Sequence, residues 1–293
     1  MTPLALALVL TAAVCHATWN LVAKRAGGGS HFVLMGALLV AVVWLPAALW
    51  VGVEAAWQWG WVEWAVLALS ALLHVLYFRA LLHGYAVSDL TVVYPVARGS
   101  GPLLSSVGAV VVLGETISAL GALGALAVVA GVFLIAGGPA LWRQAQQPAQ
   151  RVRVRRGLLW GAVTGVFIAL YTLVDGYAVK ILLISPILVD YVGNVLRIPV
   201  MLPVALRDRA GFVAAWRTQW RASLVVAILG PFSYVLVLYA VRLAPLSHVA
   251  PAREVSMLFA ALLGGTLLGE SDRRMRLLGA GAIAAGVGAL AFG

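Results

Sequence analysis

Charge is what this chain has least of: Asp, Glu, Lys and Arg make up 10% of its 293 residues, where soluble domains carry about a quarter. Carboxylates are the scarcest group, 10 against 20 basic residues, for a formal net charge of +10. The single cysteine, Cys15, excludes an intramolecular disulfide. No Gly-x-x-x-x-Gly-Lys loop occurs, which argues against ATP-driven transport by this chain alone. No closely spaced His, Cys and carboxylate set suggests a metal, and no activated-serine motif suggests an intramembrane hydrolase. No catalytic residue, cofactor or metal is therefore assigned.

What fills the chain instead is hydrocarbon. Hydrophobic residues make up 63% of it, and the mean hydropathy is +1.02. Apolar runs of about twenty residues recur from end to end, each long enough for a hydrocarbon core about 30 Å thick. The short alternating segments of an outer-membrane barrel are missing. The class is an all-α polytopic membrane protein. Cys15 stands in "TAAVCHATWN", superficially a lipoprotein cleavage site, but no Lys or Arg precedes it and the apolar run continues past it. A retained first helix is expected.

Ten spans are predicted, over about 3–23, 31–52, 62–84, 88–112, 117–137, 157–181, 185–206, 222–243, 246–269 and 275–292. The longest polar stretch, "PALWRQAQQPAQRVRVRR", divides them into five helices and five, giving a first unit over 1–137, a basic linker over 138–156 and a second unit over 157–293. Tryptophans crowd the predicted span ends (Trp57, Trp59, Trp61 and Trp64; Trp142; Trp216 and Trp220), as interfacial anchors do.

The two units repeat. "LGETISALGALGALAVVAGV" from Leu113 matches "LGESDRRMRLLGAGAIAAGV" from Leu268 at a constant offset of 155, which sets Glu115 on Glu270, Gly124 on Gly279 and Gly131 on Gly286. The same offset carries Ala97 and Arg98 onto Ala252 and Arg253. Basic residues lie in four loops: Lys24 and Arg25; Arg143 to Arg156; Arg207 to Arg221; Arg273 to Arg276. Together these hold fourteen of the 20. They follow the first helix of one repeat but the second and fourth of the other, so the repeats are inverted, as in many secondary transporters. The positive-inside rule puts these loops in the cytoplasm and both termini outside, with lipid headgroups rather than nucleic acid as partners of the charge.

The chain resembles the drug/metabolite transporter superfamily, in its EamA-type ten-helix group. The resemblance rests on the paired "LGE…G…GV" endings, on "WNLVAKR" closing the first helix and on "VYPVARGSGPLL" in the fourth. "HATWN" is also similar to a subgroup linked with phosphonate utilisation. The resemblance implies ten transmembrane helices as two inverted five-helix repeats around a central cavity, with the fifth helices packed outside it. It also implies alternating-access transport of small metabolites without ATP. Family members are drawn with cytoplasmic termini, the opposite of the charge pattern here.

Candidate solute-binding residues are the polar side chains inside the spans, where a charge costs roughly 2.5–3.5 kcal/mol on insertion scales and so marks a cavity, a counter-ion or a substrate. Tyr94, Arg98, Gly101 and Ser105 share one face of the fourth span, and Arg98 suits a carboxylate or phosphate. Alternatively Arg98 bonds helix-end carbonyls. The ninth carries Pro251, Arg253 and Glu254; Glu254 is a candidate for proton coupling, for a substrate amine or as counter-ion to either arginine. In the first span His16, Trp19 and Asn20 form a stripe, in the sixth Tyr171 and Asp175, and in the seventh Asn194 and Arg197, with Asp190 near enough to the span end to be solvated. Asp175 can carry a proton, accept an ammonium or pair with Lys180 or Arg197. Tyr234, His74 and Tyr77 are weaker candidates. Glu115 and Glu270 are expected to be structural, each favouring the N-terminus of its own following helix.

Three arginines against Asp175 and Glu254 leave one positive charge, which favours an anionic or zwitterionic solute. A secondary transporter of a carboxylate-bearing metabolite such as an amino acid follows, exporting rather than importing. Protons are a candidate coupling ion, the cytoplasmic (inner) membrane of a bacterial-type cell the expected place, and the protein a monomer or homodimer. The alternative is a membrane enzyme acting on lipid or isoprenoid, with His16, Asp175 and Glu254 as acid and base groups. The placement of arginines by repeat rather than in one catalytic cluster argues against it.

Overall fold

The computed structural model describes residues 1–135, 146–263 and 273–293, and no strand occurs among them. Glu270, Trp142 and Arg143 lie outside the described residues.

Helix α1 (Pro3–Arg25) starts where Thr2 accepts from the Ala5 N–H at 3.2 Å and Pro3 opens the first turn, and ends with Lys24 and Arg25 over its negative dipole end. Gly27, Gly28 and Gly29 all have positive φ, a left-handed turn that leads into α2 (Ser30–Val43). The second predicted span is split: Pro46 has no N–H to donate, and a separate short helix, α3 (Leu45–Trp50), begins just before it. Then come α4 (Trp61–Val87), α5 (Leu90–Leu113) and α6 (Ala119–Ile135).

Helix α7 (Pro148–Lys180) starts well inside the expected linker, so Arg151, Arg153, Arg155 and Arg156 stand on a helix rather than a loop. Pro148 favours a helix start, and the Arg, Gln, Ala and Val that follow contain no breaker. Helices α8 (Pro186–Arg207) and α9 (Arg209–Leu243) come next. The ninth predicted span is broken into α10 (Leu246–Ala252), a 3₁₀ turn at Arg253–Val255 and α11 (Ser256–Leu263). Helix α12 (Arg273–Phe292) closes the chain.

Seven of the described helices are long and apolar enough to cross a membrane, and α2 and α6 are shorter apolar helices. The outer surface is hydrocarbon: Val111 is 78% exposed, Leu123 64% and Leu277 63%. Water would penalise such a surface, and lipid does not.

Two contacts explain how prolines survive in these helices. A proline at position i frees the carbonyl of i−4. Pro231 in α9 frees the Ala227 carbonyl, and the Trp44 indole N–H donates to it at 3.0 Å. Pro251 in α10 frees that of Ser247, and the Ser106 hydroxyl donates to it at 2.9 Å. In each case the donor comes from the other half of the chain, so the repair also ties the halves together.

Glycines set the closest approach. An added Cβ at Gly124 would lie 2.8 Å from the Gly286 carbonyl oxygen, and one at Gly131 would lie 2.6 Å from that of Gly279. The reverse clashes are as tight, at 2.6 Å from Gly286 and 2.7 Å from Gly279. Helices α6 and α12 therefore pack backbone to backbone, as small-residue motifs allow in lipid. Gly101 does the same for α5, meeting Ile168 of α7 at 2.7 Å. That approach brings the Arg98 helix against the Asp175 helix.

Candidate functional site

Arg98 projects from α5, a continuous helix despite Pro95 and Pro102. Its Nη2 lies 2.8 Å from Glu254 Oε2 and donates to Ser256 Oγ at 3.3 Å. Glu254 is 1% exposed, and the 3₁₀ turn that carries it tightens the chain so that two guanidinium groups share one carboxylate. Arg253 Nε is 3.7 Å from Glu254 Oε1. Of the roles open to Glu254 in the sequence, the arrangement is that of counter-ion, chiefly to Arg98.

The guanidinium donors are incompletely used. Beside Glu254, the buried Nε atoms of Arg98 and Arg253, and Arg253 Nη2, have no hydrogen-bond acceptor, and Arg197 Nε is likewise unpaired. The two Glu254 oxygens meet the arginines as ion pairs without a well-aligned hydrogen bond. Buried donors are nearly always paired. Two guanidinium groups with spare donors sharing Glu254 are chemistry suited to a second, transient anion.

Asp175 forms the other pole. It is 1% exposed and accepts from Ser70 Oγ at 2.5 Å and from the Tyr234 hydroxyl. His74 Nε2 stands 3.9 Å away. The His74 ring stacks on Tyr171 with centroids 4.1 Å apart and meets Tyr234 edge-on at 5.9 Å; Tyr77 packs edge-on against Tyr171 at 5.6 Å. Arg197 and Arg253 both lie within electrostatic range of Asp175, and Tyr94, Tyr77 and Tyr171 within range of Arg98. The poles therefore belong to one polar cluster.

The sequence candidates divide as follows. Arg98, Arg253, Glu254, Tyr94, Tyr171, Asp175, Arg197 and Tyr234 converge, and His16 of α1 lies in range of Arg98 and Arg253. Trp19 spends its indole N–H on Ser233 Oγ at 3.3 Å, and Asn20 turns its amide onto the His16 carbonyl at 2.8 Å. Asn194 donates to its neighbour Asp190 at 3.0 Å. The expectation that Asp190 is solvated fails. It is 6% exposed, because α8 packs against α2, α4 and α9, and it lies in range of Arg197 and Asp175. The cluster thus holds three arginines and three carboxylates, a formal balance in place of the expected positive excess. Ser70 and the importance of His74 escaped the sequence reading, although Ser70, His74 and Tyr77 share a face of α4 at i, i+4 and i+7.

Surface grooves of about 620 Å³ along Arg209–Thr218 and about 460 Å³ beside Val22, Arg25 and Gln219 lie away from this cluster. With Arg98 only 12% and Arg253 only 10% exposed, the structure describes an arrangement in which the charged residues are covered.

Glu115 corrects a second expectation. It does not cap its own following helix, which begins at Ala119. It reaches across to α10, accepting from Leu246 N at 2.8 Å and Ser247 N at 2.9 Å, and pairs with Lys180 Nζ at 2.6 Å. Lys180 is therefore the partner of Glu115, not of Asp175. Burial raises the Glu115 carboxyl, but Lys180 and the two backbone N–H groups outweigh that and hold it below the usual carboxylate range. A carboxylate lowered on folding stabilises fully above the range in which the unfolded group titrates. That stabilisation is lost as pH falls through the lowered value. Glu115→Gln is expected to cost about 1–3 kcal/mol at neutral pH and to blunt the acid-induced fall in thermal stability. An unchanged melting profile in detergent would refute the latch.

Comparison with known proteins accords with this architecture. Residues 155–292, the second half of the chain, match the EamA-like transporter family of the drug/metabolite transporter superfamily. With seven described helices long and apolar enough to cross a membrane, the protein is an integral membrane protein, and the family matched by its second half is one of transporters. A solved crystal structure superimposes with a TM-score of 0.74 over 98% of this chain and 98% of that one, at 16% sequence identity, a likeness of fold alone. No curated protein matches the sequence.

Proposed function

We propose that this protein is a secondary, alternating-access transporter of a small polar metabolite bearing a carboxylate, such as an amino acid, and that it works as an exporter in the inner membrane of a bacterial-type cell. The observation that carries this reading is the set of unpaired buried guanidinium donors around Glu254. Glu254 is a resident stand-in for the solute carboxylate. It neutralises Arg98 when no solute is present, leaving Arg253 Nε and Nη2 to take the incoming anion. The formal charge balance favours a zwitterion over a dianion, and the tyrosines between the poles suit an apolar portion. Purified protein in liposomes should accumulate one or more components of a labelled amino-acid mixture without ATP; no accumulation of any component would refute the reading.

Ten membrane passes in two inverted repeats are the arrangement proposed for the chain. Contacts at helix ends support it. Glu115, Lys180 and the start of α10 meet at one surface, where the Met1 ammonium also donates to the Ala291 carbonyl at 2.7 Å. At the other, His31 approaches Asp208 and Arg153 pairs with Asp89. Ten alternating passes place each of these groups on one side. The basic loops all fall on the second side, which we assign to the cytoplasm. A C-terminal alkaline phosphatase fusion should then be active and a green fluorescent fusion dark; the reverse pair would place both termini inside.

A further inference from the structure

His74 Nδ1 lies 2.9 Å from the Ser70 backbone oxygen, which has no proton to give. The Ser70 hydroxyl, 3.4 Å from the same nitrogen, spends its single proton on Asp175 Oδ1. Both neighbours of Nδ1 are thus acceptors, and Nδ1 carries the hydrogen. In a neutral imidazole Nε2 is then a bare lone pair, and it stands 3.9 Å from Asp175 Oδ2. A lone pair facing a carboxylate oxygen in a buried site is repulsive unless one proton lies between them.

From this tautomer argument we propose that Asp175 and His74 form a one-proton binding site, distinct from the arginine pole that takes the solute. Asp175 is 1% exposed, so a proton reaches it where a solute ammonium cannot. Every neighbouring element contributes to the balance. Ser70 of α4 and Tyr234 of α9 donate to the carboxylate and favour its anion. Arg197 of α8 and Arg253 of the 3₁₀ turn face both members of the pair; they favour the anion and oppose a charged imidazole. Asp190 of α8 faces Asp175 with a like charge and favours protonation. Tyr171 of α7 covers the imidazole face.

The consequence, which rests on the transporter reading, is electrostatic coupling without contact. Unprotonated, the cluster balances Arg98, Arg197 and Arg253 against Asp175, Asp190 and Glu254. One proton on the pair leaves the cluster with one net positive charge, and that charge favours a solute carboxylate at Arg253. Proton and anion therefore bind together, and a low pH on one face favours loading from that face.

Infrared difference titration of the full-length protein, labelled with ¹³C-aspartate and ¹⁵N-histidine, tests the site without any solute. Among the transitions those labels report, one is expected to be lost in Asp175→Asn and displaced in His74→Gln. Tyr234→Phe keeps the pair but removes a donor to the anion, so its midpoint should rise by about 1–2 pH units. The inference is overturned if no transition is lost in Asp175→Asn, or if the one lost there is left in place by His74→Gln. Accumulation of the labelled amino-acid mixture is measured separately. Its failure removes the transporter reading while the titration still decides the proton site.

Discussion

Arg253→Met should reduce solute accumulation in proteoliposomes by about 100-fold while leaving the protein folded. The size follows from removing one member of a buried charged contact, which costs roughly 2–5 kcal/mol of binding. Folding is spared because Arg253 approaches Glu254 only to 3.7 Å, and the 2.8 Å pair between Glu254 and Arg98 persists. Two of the Arg253 nitrogens are also unpaired in the absence of solute, so their removal relieves the empty site. Wild-type accumulation by a monodisperse Arg253→Met protein would remove Arg253 from the solute site.

Arg98→Met is expected to fail differently. It leaves Glu254, 1% exposed, with a buried charge and only the distant Arg253 to offset it. Breaking a buried pair from one side costs about 3–5 kcal/mol, whereas replacing both members by apolar groups is often neutral. The single variant should therefore melt far below wild type, and Arg98→Met with Glu254→Leu should recover most of the loss without recovering transport. A single variant as stable as wild type would show that Arg98 and Glu254 do not neutralise each other. The two arginines occupy one position of the sequence repeat, yet the predicted effects fall on stability for Arg98 and on transport for Arg253. The difference comes from Glu254, which has Gly99 as its counterpart in the first repeat.

Helix positions were largely legible because apolar length is a local property. The fourth, seventh and tenth predicted spans match observed helices to within a few residues. The departures have local causes as well. Pro46 splits the second span, and the absence of a breaker after Pro148 lets α7 run back through the linker. The candidate site was legible in its charges, since an arginine in a lipid-spanning run needs a reason wherever it points. Partners were not legible. Nothing in the spacing of Glu115 from Ala119 announces that its carboxylate serves Leu246 and Ser247, more than a hundred residues away. Nor does the position of Asp190 near a helix start show that neighbouring helices cover it.

From its composition and internal repeat alone, this chain is an all-helical membrane protein with charged residues inside its spans and one arginine position used twice. Hydropathy and periodicity are sums over neighbouring residues, so one strand of sequence suffices for them. Tertiary structure decided which carboxylate answers which arginine, brought Asp190 into the cluster as a third buried carboxyl group and set His74 Nε2 toward Asp175. Those outcomes turn on ångström separations between helices remote in the chain, set by glycines such as Gly101 and by carbonyls that prolines leave free.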